Sequence, residues 1–164
     1  MNPKNILFLA GGRWQVPWIK FLNQKKHNII LVDPHQNPAC SKWADNHLQI
    51  DVKKLDKIKH QVEKNNFKID LVTSEQTDVS TLPVAHLSEY FGIATNSVKS
   101  VERFALKDKS RDFINNYFGH KHIPEYKIIQ DENDLISFYN TVKKDIIVKP
   151  VDSQSSRGLF KISD

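Results

Sequence analysis

Ile6-Leu7-Phe8-Leu9-Ala10-Gly11-Gly12 is the stretch whose reading decides the fold. Four bulky apolar residues with no polar alternation describe a strand buried on both faces, and the two glycines end it. A helical pattern follows over Val16 to Gln24, with Pro17 acceptable in its first turn. Ile29-Ile30-Leu31-Val32 is a second strand of the same kind, closed by Asp33-Pro34. His47 to Ile50 reads as a third strand, Lys53 to Lys64 as a helix carrying Leu55, Ile58 and Val62, and Ile69 to Thr73 as a fourth strand. Ser80 to Phe91 is a further helix and Gly92-Ile93-Ala94 a short fifth strand. Uniformly apolar strands separated by helices predict a doubly wound, Rossmann-like parallel α/β sheet over residues 1–97.

From residue 98 the rhythm changes. Val98 to Phe118 is helical with a break near Leu106, and His120 to Pro124 is a connector. Tyr126 to Ile129 reads as a short strand and Asn133 to Asn140 as a helix introduced by Asp131-Glu132. Residues 98–164 therefore form a second unit of α+β character, with too little chain to close a core of its own. Its final segment is the most informative. Ile146-Ile147-Val148 is a strand that runs into Lys149-Pro150, followed by a polar loop ending at Arg157-Gly158 and a return strand from Leu159 to Ile162. A lysine at a strand end beside a loop of backbone N–H groups is a physically sensible cover for a phosphate chain.

Composition excludes several classes. The 24 lysines and arginines outnumber the 19 acidic residues, giving +5 and a pI near 9.2. Around Lys53, Lys54, Lys57 and Lys59, however, the charges alternate with Asp51, Asp56 and Glu63, as on a solvated helix face. A nucleic-acid partner is not expected, and mild positive charge suits the handling of anionic nucleotides. Cys40 is the only cysteine, so no internal disulfide is possible, and it reads as a buried thiol rather than a nucleophile. No run has the length of a membrane span, and the apolar residues after Asn5 are too few for a signal peptide. A cytoplasmic, soluble protein is expected.

Several motifs have a plain structural reading beside a functional one. Gly11-Gly12 lacks the later glycine of a dinucleotide fingerprint, so a tight strand-to-helix turn is expected, with an anion site served by Arg13 as the alternative. Asp33 reads as a turn residue. Glu75, in the loop after the fourth strand, lies at the sheet edge where doubly wound folds bind ligands and is a candidate substrate contact. His120 and His122 have no evident third metal ligand and read as an exposed connector. Lys109 in a charged helix start and Lys149 at a strand end could bracket a triphosphate from two sides.

Taken in order, these features resemble the ATP-grasp superfamily. Val32-Asp33-Pro34, Pro38 and Ala44-Asp45 are similar to the linker of the domain that precedes ATP-grasp in biotin carboxylases and carbamoyl-phosphate synthases. Asp108-Lys109 resembles the Asp-Lys pair of the family's central helix, and Ile123-Pro124 its apolar-proline pair. Lys149-Pro150 with Asp152 to Gly158 resembles its lysine strand and phosphate-covering loop. The resemblance implies a pre-ATP-grasp domain followed by an incomplete ATP-grasp subdomain. It implies that Lys109 and Lys149 contact ATP phosphates, and that Ser153, Ser155, Ser156 and Gly158 belong to the covering loop. Ser155 stands where the family often has a glycine, which predicts a stiffer loop. The implied reaction is ATP-dependent ligation of a small carboxylate to an amine or thiol through an acyl phosphate. The magnesium ligands would lie beyond residue 164, so these 164 residues are expected to be inactive alone and to be a fragment of a longer ligase. The rival reading is a self-sufficient α/β module that binds a small metabolite or a protein. Exposed strands in the second unit make a homodimer plausible.

Overall fold

The computed structural model describes residues 2–163. The described chain divides into two compact units, the first ending at Val101 and the second beginning at Glu102.

The first unit is built on four parallel strands: β1 (Asn5–Leu9), β2 (Asn28–Val32), β3 (Asn46–Leu48) and β4 (Leu71–Thr73), in the order β3-β2-β1-β4. Leu7 is opposite Ile30 and Val72, which sets the register of the central strands. Alternation along β1 sends Leu7 and Leu9 into one apolar cluster, while Ile6 and Phe8 enter another on the opposite face. Helix α1 (Val16–Gln24) closes the second cluster with Ile19 and Leu22. Helices α2 (Leu55–Lys64) and α3 (Thr81–Tyr90) close the first with Ile58, Val62 and Leu87. These side chains are essentially inaccessible. Each contributes about 1.5–3 kcal/mol of hydrophobic stabilisation, and this makes a doubly covered α/β sheet the stable arrangement.

The expected fifth strand is not formed. Gly92, at φ +68°, terminates α3: its N–H donates to the Glu89 carbonyl, and that of Ile93 donates to Ser88 (2.8 Å). Two N–H groups engaged in capping a helix are not offered to a neighbouring strand.

The division between the units falls within α4 (Val98–Ala105). Leu106 is extended (φ −100°, ψ 124°) and separates α4 from α5 (Lys107–Phe118), as the sequence reading expects. Helix α6 (Glu132–Val142) starts at Asp131, whose carboxylate accepts from the Asp134 N–H at 2.9 Å. Strands β5 (Ile146–Val148) and β6 (Phe160–Ile162) form an antiparallel hairpin. Residues 126–129 are not a strand, because the sheet of the second unit contains only β5 and β6 and offers them no ladder. Ile146 is the one buried residue among the described residues of this unit; Phe104, Tyr117, Ile147 and Phe160 are all largely exposed. Among the described residues no helix is long and apolar enough to cross a membrane.

Candidate functional site

At the end of β5 the chain leaves the hairpin through Lys149-Pro150, turns through a hoop, and returns at Leu159 into β6. The neck of the hoop is tight. A Cβ added to Gly158 (φ +70°) would lie 2.9 Å from Cγ of Pro150, so only glycine fits there. Inside the hoop Arg157 N–H donates to the Gln154 carbonyl, and Leu159 N–H donates to that of Ser156, each at 3.2 Å. Ser155 and Ser156 both occupy the left-handed region at φ +56° and +57°. That conformation costs a non-glycine residue about 1–2 kcal/mol. Serine thus occupies a backbone conformation that glycine adopts without cost at both position 155 and position 156.

The start of α5 meets this hoop. The break at Leu106 leaves the Lys107 N–H outside the helical ladder, and it donates to the Val151 carbonyl at 3.1 Å. The Lys107 ammonium donates to the carbonyls of Val151 (3.3 Å) and Ser153 (2.5 Å). Arg111 lies one turn further along the same side of α5, and its guanidinium stacks over the Tyr126 ring at 5.3 Å from the centroid. Tyr126 in turn donates to the carboxylate of Asp112. The Lys149 ammonium lies within the field of both cations. Desolvation, then the like charges of Arg111 and Lys107, hold its pKa below the ordinary lysine value.

Lys149 thus gains two cationic neighbours from α5, and they are not the expected one. Positions 107 and 111 share a helix face, whereas Lys109 lies two positions along from Lys107 and is exposed on the other side. Ser153 carries a hydrogen bond through its carbonyl, while Ser155, Ser156 and Gly158 form the far half of the hoop. Beside the Asp108-Lys109 pair, Lys107 and Arg111 do not stand out in the sequence. The i, i+4 spacing of two cations immediately after a helix break was the available signal.

In the first unit a cleft of about 350 Å³ opens at the carboxyl end of β4. Thr73, Ser74, Thr77, Thr81 and Thr95 bring hydroxyls to it, Glu75 lies on its wall, and Val84 and Ala85 of α3 supply apolar surface. The loop is anchored from both sides. Ser74 Oγ donates to the Leu9 carbonyl (2.8 Å), and the buried Gln15 donates through Nε2 to the Glu75 carbonyl (2.5 Å). Arg13 does not line the cleft and stays exposed on the turn after β1.

That turn is occupied by its own protein. The buried Asp33 carboxylate accepts from Gly11 N–H (2.7 Å) and His35 N–H (2.9 Å), and the Cys40 N–H donates to the Gly11 carbonyl (3.0 Å). A Cβ at Gly11 would sit 3.0 Å from Pro38. The Gly-Gly pair serves close packing, and Asp33 clamps it. The buried Cys40 thiol is pushed up to about 11 by desolvation and by Asp33, so it is not a nucleophile at neutral pH. His120 and His122 lie on an exposed 3₁₀ turn, and no group of three or more potential metal ligands assembles among the described residues.

Neither a protein-family model nor a curated protein sequence matches this chain. Solved structures do. An ADP-complexed N5-carboxyaminoimidazole synthetase from Staphylococcus aureus matches with a TM-score of 0.72 at 12% identity, over 98% of this chain and 42% of that one. N5-carboxyaminoimidazole ribonucleotide synthetase from Thermotoga maritima matches at 0.66 and 20% identity, over 98% and 41%. An L-amino acid ligase from Bacillus licheniformis matches at 0.59 and 12% identity, over 100% and 40%. The chain spans about two fifths of the length of each. From the first strand to the closing hairpin, it has the fold of the N-terminal part of ATP-grasp ligases.

Proposed function

We propose that this chain is the N-terminal portion of an ATP-dependent ligase that joins a small carboxylate to an amine or thiol, and that its second unit forms one side of the ATP phosphate site. The observation that carries this reading is that Lys107 binds the loop that follows Lys149 while Lys149 lies in the field of Arg111 and Lys107, in a fold shared with an ADP-complexed synthetase. Three clustered cations repel one another in the absence of a ligand, and a polyphosphate removes that cost. ATP would supply the phosphoryl group that turns a carboxylate into an acyl phosphate, which the nucleophile then attacks with loss of phosphate. On this reading Lys149 and Arg111 neutralise phosphate oxygens, while hoop N–H groups around Ser155 and Ser156 would donate hydrogen bonds to them.

Lys109, on the other side of α5, would not join them. The described residues bring together no acidic set able to hold magnesium, so any metal ligands would come from elsewhere in such a ligase. The threonine-lined cleft of the first unit, with Glu75 on its wall, suits a small polar substrate. Labelling with an acyl-phosphate derivative of ATP tests the assignment. Acylation of Lys149, suppressed by excess ATP, is expected. Labelling spread over surface lysines and indifferent to ATP would leave the stand-alone metabolite-binding module as the better reading.

A further inference from the structure

The hoop between Lys149 and Leu159 is shaped by contacts of its own and by contacts from α5. Gly158 against Pro150 fixes the neck, and two turn hydrogen bonds shape the far half. The near half, Val151 to Ser153, is held by contacts from the start of α5. Lys107 binds it three times, through its backbone N–H and twice through its ammonium. Two of those bonds are charge-assisted and accepted by main-chain carbonyls, so they restrain the path of the chain and not only a side chain. Val151, Ser155 and Ser156 are all exposed, so burial of these side chains contributes little to holding the hoop. Opposing it is the left-handed backbone at Ser155 and Ser156, which favours rearrangement.

We infer that Lys107 is a positioning residue: it latches residues 151–153 to the start of α5 and so fixes the path of the hoop that follows Lys149 before any ligand arrives. The inference rests on the phosphate-site reading only for what the hoop covers; the latch itself is a property of the free chain. An ammonium committed to two carbonyls acts on a bound anion mainly through the loop it holds, whereas Lys149 acts through its own charge.

An Arg-specific protease reads the latch directly, since Arg157 lies within the hoop and Arg13 in the first unit supplies an internal reference. In the ligand-free chain, Lys107→Met should raise the rate of cleavage at Arg157 relative to Arg13 about tenfold, Lys107→Arg should restore most of the protection, and Lys149→Met should leave the rate unchanged. Cleavage of Lys107→Met at the wild-type rate would overturn the inference. So would equal acceleration in Lys149→Met, which would make cluster charge rather than the latch the cause. A variant that loses helical circular dichroism is replaced by Lys107→Gln, read in the same way. ATP serves as a separate arm. If it fails to slow cleavage of the wild type while the Lys107 effect persists, the nucleotide reading fails and the latch stands.

Discussion

Replacing Lys149 with methionine tests the proposed phosphate site directly. Methionine keeps much of the lysine stem, so packing at the end of β5 should change by less than about 1.5 kcal/mol. The ammonium is what disappears. Facing a phosphate oxygen near 4 Å at an effective dielectric of 20, it would contribute about 4 kcal/mol of gross attraction. Desolvation of both groups leaves about 1.5–3 kcal/mol net, the usual range for a hydrogen bond to a charged group. At about 1.4 kcal/mol per decade, Lys149→Met should weaken ATP binding to this chain by on the order of 10- to 100-fold. The free protein should not be destabilised, because desolvation, and then the like charges of Arg111 and Lys107, already disfavour the charged form of Lys149. Calorimetric titration with ATP at about 0.15 M salt, beside a thermal melt, measures both quantities. An ATP affinity within twofold of wild type at an unchanged Tm would refute the assignment of Lys149 to the phosphates.

Three further predictions concern the fold that presents this site. Gly158→Ala places a Cβ 2.9 Å from Pro150 at φ +70° and should loosen the hoop, whereas Ser155→Gly relieves a left-handed serine and should tighten it by about 1 kcal/mol; hydrogen exchange across residues 150–160 reads both directions. Cys40 keeps its proton in the folded chain up to about pH 11 but loses it near 9 when unfolded, so between these values the unfolded state binds fewer protons and stability should fall by about 1.4 kcal/mol per pH unit. Cys40→Ala should remove that slope in denaturant titrations from pH 8 to 11, and an unchanged slope would assign the alkaline loss to other groups. Amide exchange across β5 and β6 should be much faster than across β1, since Ile146 is the only buried residue among those described in the second unit, while β1 is inaccessible from Ile6 to Leu9; equal protection would contradict this.

What the sequence determined by itself is the layered architecture of the first unit and the strand–hoop–strand at the end of the second. Runs such as Ile6 to Leu9 and Ile29 to Val32 have no polar face, so they must be covered on both sides, and that requirement is local enough to read from one stretch of chain. Lys149-Pro150 and Gly158 are legible for the same reason, since proline and glycine constrain the backbone wherever they stand. Gly92-Ile93-Ala94 and Tyr126 to Ile129 were misread as strands because a strand exists only if a partner offers a ladder, and no residue in either stretch records whether one does. The members of the cation cluster were likewise decided by tertiary structure. Lys107, Lys109 and Arg111 are equivalent as charges along the chain; the extended residue Leu106 sets the phase of α5, and that phase turns 107 and 111 toward one side. Only then do carbonyls more than forty residues away, at Val151 and Ser153, find Lys107.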